Sequence, residues 1–186
     1  MPSCTIHIAI AKRYIEKHKN EIKNEQEFIN GVIAPDLNEE MNGPAIDKNR
    51  THYGIWGNYQ ETITNIDEFL NDEKVDLSRD YWKGYFLHLI ADHYFYNKEK
   101  FFKKEFEKAK ENNEKFYNDF NYLNKGLMEK YKIEPLENII KYMTIYEGET
   151  KYLKLGKIIN YVEELSNINM QEKVEIIKQK GMEGLE

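Results

Sequence analysis

His88 and Asp92, four positions apart in GYFLHLIAD, are the pair in this sequence best placed for chemistry. On a helix that spacing puts both side chains on one face, about one turn apart. A neutral imidazole and an ionised carboxylate held this way offer two coordination positions to zinc, manganese or iron. The same spacing equally serves a buried histidine that is only paired with a carboxylate. Asp36, in APD, and His52, in NRTH, stand near the two ends of an irregular stretch, so four ligand-type residues come from three segments. Taken singly, Asp36 is a loop stop after Pro35 and His52 an exposed loop histidine. Taken together, they would let an ion order a long polar loop that has little else to hold it.

His7 lies among Ile6, Ile8 and Ile10, where an unpaired polar ring would be costly if buried. It either satisfies a core hydrogen bond or faces the metal cavity. His93 points about 100° around the helix from Asp92, which suits a supporting or surface role better than ligation. His18, in lysine-rich surroundings near a helix end, reads as solvated. Cys4, one turn before His7, reads as a small buried hydrophobe, with soft-ligand capacity as the alternative.

The elements that must position these residues are helical. Periodicity at three and four residues dominates, and only four prolines interrupt it. Ser3 or Thr5 can cap a first helix running to about His18, with Ile6, Ile10 and Tyr14 on one face. Glu25 to Ile33 is a short second helix, stopped near Gly31 and Pro35. From Ala34 to about Asn58 the chain is rich in Pro, Gly, Asn and Asp, a long irregular connection of the kind that is usually functional or disordered. A third helix is expected over Tyr59 to Leu70. Ser78 is the expected cap of a long central helix, from Ser78 to about Phe102, that carries His88 and Asp92. Beyond it, Glu99 to Tyr131 reads as amphipathic helices, Pro135 to Tyr146 as another, and the remainder as two more packing on the outside.

Composition fits this picture. With 186 residues, 40% hydrophobic and 13% aromatic, the chain can bury one core, and a single all-α domain over 1–186 is expected, with the site in 1–97 and packing helices in 98–186. The net charge of −6 is spread over interleaved Lys and Glu, which gives no strong nucleic-acid signal. The single cysteine forms no intrachain disulfide. The N-terminal stretch does not read as a signal peptide, and no apolar run reaches the roughly 20 residues of a membrane span. A cytoplasmic location is the expectation.

In order along the chain, His7 with HIAIAK at 7–12, Phe28 followed by GVIAPD at 31–36, THY at 51–53 and GYFLHLIAD at 84–92 resemble the zinc-dependent phospholipase C family. The likeness covers about the first half of the chain. It implies an all-α, multi-helix bundle of the zinc-dependent phospholipase C type, with Zn2+ or another divalent transition metal as cofactor. It also implies that Asp36, His52, His88 and Asp92 match zinc ligands, Asp92 in the place of a bridging carboxylate and His7 as ligand of a further ion. Secreted trinuclear members add His and Glu ligands after this helix and a processed N-terminal tryptophan. Here no histidine follows His93 and the start is Met1-Pro2-Ser3, so at least one metal position is expected to be incompletely furnished. Glu99, Glu147 and Glu149 are the oxygen ligands left to fill it.

The expected function is a metal-dependent hydrolase acting on a phosphoester, either a small molecule or a lipid headgroup, with Asp36 as a ligand that also orients water. Two alternatives stand beside it. One is a non-catalytic helical protein with a structural metal site. The other is an HD-type phosphohydrolase, against which the order Asp92-His93 speaks.

Overall fold

The computed structural model describes residues 3–37, 50–57, 61–110 and 112–185. Ser3 caps the first helix, α1 (Cys4–Lys17), by accepting from the Ile6 N–H. Asn24 does the same for α2 (Glu25–Ile33), accepting from Glu27. A single 3-10 turn, Ala34–Asp36, follows directly, with Pro35 inside it. Most of the irregular connection expected over 34–58 lies outside the described residues.

Where a helix was expected over Tyr59–Leu70, the chain instead forms a hairpin and a shorter helix. Strands β1 (Gly54–Gly57) and β2 (Glu61–Thr64) pair antiparallel, with Gly54 opposite Thr64 and Gly57 opposite Glu61. Thr62, Ile63 and Thr64 are a run of β-branched residues, which prefer extended backbone. Asn65 then caps α3 (Ile66–Asn71) through Glu68 N.

The central helix, α4, is Asp80–Asn97. Ser78 is not its cap, because its N–H donates to Asp76 Oδ1 in the preceding turn. Nor does the helix reach Phe102. The chain turns after Asn97 so that the Phe102 ring stacks on Phe95 with centroids 4.4 Å apart. Next come α5 (Lys103–Lys108) and α6 (Asn113–Tyr131). The expected helix from Pro135 to Tyr146 is only a 3-10 stretch, Glu137–Tyr142. Beyond it, backbone groups are claimed by α6: Tyr146 N–H donates to Asn121 O and Asn124 Nδ2 to Thr144 O. Helices α7 (Leu155–Leu165) and α8 (Met170–Lys180) and a 3-10 turn, Gly181–Leu185, complete the chain. As expected of a packing helix, α7 buries one face, with Ile158, Tyr161, Val162 and Leu165 in the core, and exposes Gly156, Asn160 and Glu164.

Buried apolar side chains from Cys4 to Leu185 form one cluster, with α4 contributing Phe86, Leu87, Leu89, Ile90, Ala91 and Phe95. Asp119, itself buried, grips the strap before α7 by accepting from the N–H groups of Lys151, Tyr152 and Leu153 at 2.6–2.8 Å. The fold is mainly helical with one two-stranded hairpin. No helix among the described residues is long and apolar enough to cross a membrane.

Candidate metal centre

Helices α2 and α4 run parallel and touch at intervals of four residues. Asp80 Oδ2 accepts from the N–H of Asn24 at 2.7 Å and from that of Lys23. Gly84 lies against the Phe28 carbonyl so closely that a β-carbon there would sit 2.1 Å from its oxygen. Gly31 faces Tyr81 O in the same way, at 1.9 Å. Only glycine tolerates such backbone approach. One turn further, His88 Nδ1 donates to Val32 O at 2.7 Å. The series 24/80, 28/84, 32/88 continues to 36/92, and there Asp36 and Asp92 meet at His52.

His52 Nε2 lies 3.4 Å from Asp92 Oδ2, 3.6 Å from Asp36 Oδ1 and 3.2 Å from His88 Nε2. His88 Nε2 is 3.5 Å from the same Asp92 Oδ2. His52 is carried by the segment just before β1, which α4 holds through a hydrogen bond from the Tyr85 hydroxyl to Thr51 O. His52 Nδ1 is 3.0 Å from Thr51 Oγ1. On the other side His7, from α1, stacks on the His88 ring with centroids 3.9 Å apart and places Nε2 3.2 Å from Asp92 Oδ1. The two oxygens of Asp92 thus face two sides, as a bridging carboxylate's would.

All five candidate ligands come together. His7, His52, His88 and Asp92 are at most 1% exposed and Asp36 is 9% exposed. Two overlapping triads, His7–His88–Asp92 and Asp36–His52–His88, have the geometry to hold an ion. Sequence reasoning left His7 open between a core hydrogen bond and the metal site, and it stands in the cluster, against His88 and Asp92. Cys4, a buried hydrophobe as expected, has its Sγ 3.9 Å from Asp36 Oδ2. His93 is half-buried beside Asn97 and outside the cluster. His18 is not simply solvated, since it stacks on Tyr14 and bonds to Ser166 O. Glu99, Glu147 and Glu149 are exposed, and none joins either triad.

The donor set fits a transition metal. With bonds of about 2.0–2.1 Å, a tetrahedral ion holds its ligand atoms roughly 3.3–3.4 Å apart, whereas an octahedral ion holds adjacent ones at about 2.9 Å. Four of the six separations among these atoms, 3.2 to 3.6 Å, bracket the tetrahedral value. A carbonyl can only accept, so His88 Nδ1 carries the hydrogen, and the neutral ring then presents a lone pair at Nε2. Both oxygens of Asp92, Asp36 Oδ1 and both nitrogens of His7 are buried without a hydrogen bond of acceptable geometry. Buried polar atoms are rarely left so, and a cation among them would satisfy several together.

Electrostatics point the same way. Burial alone would raise the pKa values of Asp36 and Asp92, but the neighbouring histidines, His88 foremost, hold both carboxyls well below their usual range. Burial would lower His88, yet the charges of Asp92 and Asp36 outweigh it and raise its pKa. His7 is lowered, by burial and then by His88. The pocket therefore carries two ionised carboxylates and favours positive charge.

No protein-family model, no curated protein and no solved structure matches the chain.

Proposed function

We propose that this chain is a helical metal-binding protein of the zinc-dependent phospholipase C type and hydrolyses a phosphoester. The observation that carries the metal assignment is the pair of overlapping triads, His7–His88–Asp92 and Asp36–His52–His88, around buried carboxylate oxygens that lack donors. His52, His88, Asp36 and Asp92 Oδ2 would hold the ion, and His7 with Asp92 Oδ1 would support a further one. The choice of phosphoester rests on the ordered motifs around His7, Asp36, His52 and His88. Such an ion supplies Lewis acidity, which makes a water ionise near neutral pH and polarises the ester. Asp36 is the least enclosed of the four and ends a single 3-10 turn, so it is the residue able to orient the attacking water. The remaining ligands stand on rigid or tied-down backbone and fix position.

A second reading is favoured by one observation: the candidate ligands are at most 9% exposed, an enclosure that suits a structural ion. The HD-type alternative loses support because His93 lies outside the cluster. Elemental analysis of untagged protein grown with zinc tests the metal, with close to one ion per chain expected. Turnover of model phosphomonoesters and phosphodiesters by the zinc-loaded protein, abolished together with zinc binding by Asp36→Asn, supports the hydrolase. Zinc content with no turnover of any of them supports the structural role, and zinc content near zero refutes both.

A further inference from the structure

Helix α1 meets the cluster twice. His7 places Nε2 3.2 Å from Asp92 Oδ1. Cys4, one turn earlier on the same face, has its Sγ 3.9 Å from Asp36 Oδ2. The thiol is held there by the Ser3 cap, which fixes the first turn of the helix. Cys4 is buried and belongs to neither triad, so it reaches the outer oxygen of a candidate ligand and not the place of the ion. The two oxygens of Asp36 are thereby divided. Oδ1 lies 3.6 Å from His52 Nε2 and is buried without a hydrogen bond, whereas Oδ2 faces the thiol. An ionised carboxylate only accepts, so the S–H donates, across a distance longer than an N–H or O–H bond because sulfur is larger. Among the candidate ligands Asp36 depends most on such a hold. His88 is fixed by Val32 O and Asp92 stands within the long helix α4, but Asp36 ends a single 3-10 turn and is the most exposed of the five. Carboxylates that bind a metal are usually oriented by a hydrogen bond to their other oxygen.

We propose that Cys4 is a positioning residue of this centre, its thiol donating to Asp36 Oδ2 and turning Oδ1 toward the ion. This rests on the metal reading above and names a contact which that reading does not require. Because the chain has one cysteine, its S–H stretch in the infrared belongs to Cys4 alone. In metal-free native protein that band should lie at lower frequency than the band of a cysteine in a purely apolar core, and it should move up in Asp36→Ala. A native band already at the apolar-core frequency overturns the proposal, and needs no variant to do so. Zinc affinity is then measured by competition with a chelating dye for native protein, Cys4→Ser and Cys4→Ala, with metal-free melting temperatures in parallel. Losing a hydrogen bond that orients a ligand weakens metal binding by about 10–100-fold, and a thiol is a weak donor, so Cys4→Ala should bind zinc about tenfold more weakly. Cys4→Ser keeps a donor and should recover most of that loss. A role in packing alone would lower the metal-free melting temperature of Cys4→Ala and leave its zinc affinity at the native value. That result overturns the proposal while leaving the metal reading standing, as does equal weakening in Cys4→Ser and Cys4→Ala. Native protein that takes up no zinc removes the metal reading and this proposal together.

Discussion

Replacing His88 with alanine removes one of the two histidine partners of Asp92 Oδ2, the donor to Val32 O and the ring stacked on His7. Breaking a buried ion pair costs about 3–5 kcal/mol, and orphaning a buried carbonyl about 1–3 kcal/mol. One side chain makes both contacts, so the losses overlap and the expected destabilisation stays near 3–5 kcal/mol. For a chain of 186 residues that corresponds to a fall of roughly 6–20 °C in melting temperature, at about 2–4 °C per kcal/mol. His88→Asn separates the causes. Its amide N–H can still reach Val32 O, so without metal it should be spared the roughly 1–3 kcal/mol of the orphaned carbonyl and keep only the cost of the lost pairing with Asp92. Neither variant should retain the zinc-dependent part of stability, about 4 kcal/mol for an ion present at 1,000 times its Kd. His7→Ala should keep that part, since His7 does not belong to the Asp36–His52–His88 triad. Thermal melts in chelator and in excess zinc, with elemental analysis, measure all three. Stoichiometric zinc in His88→Asn, or equal loss of the ion in His7→Ala and His88→Ala, would refute the assignment of ligands.

Two further outcomes follow from the packing of α2 on α4. Gly84→Ala places a β-carbon 2.1 Å from Phe28 O, so the helices must separate, and urea denaturation should show a loss of about 1–3 kcal/mol or more; an unchanged midpoint would mean that the approach is not rigid. Asp80 is the pH-sensitive tie: burial would raise its pKa, but Lys83 and the N–H groups of Asn24 and Lys23 lower it. A depressed folded pKa gives stability that is present above the unfolded value of about 3.9 and lost as pH falls through the folded value. The stability gap between native protein and Asp80→Asn should therefore shrink on acidification below about pH 4, and a gap that widens there would reverse the sign.

Much of the candidate site was legible because its residues carry their chemistry in the side chain. His88 and Asp92 share a helical face, and the caps and stops around Cys4–Lys17 and Glu25–Ile33 are local signals that tertiary contacts reinforce. What stayed hidden depends on backbone or on distant partners. The hairpin at 54–64 overrode a helical spacing of Ile63, Ile66 and Leu70, because β-branched neighbours favoured pairing. The stretch after Pro135 shows helical periodicity, but α6 takes the backbone groups beyond it. The Val32 carbonyl that fixes the His88 tautomer leaves no mark in residue type.

The four-residue pairing of α2 with α4 also bears on how this chain can diverge. From Asn24 to Asp36 and from Asp80 to Asp92 the distance is the same, twelve residues, and each rung depends on the one before it. Substitutions can be absorbed at many of the positions between the rungs. A single inserted or deleted residue in either segment would instead rotate every later rung by about 100° and carry one aspartate away from His52. Functional descendants of this sequence should therefore accumulate length changes elsewhere, and a homologue with an indel confined to one of these two segments should have lost the candidate metal centre even if all five candidate ligands remain.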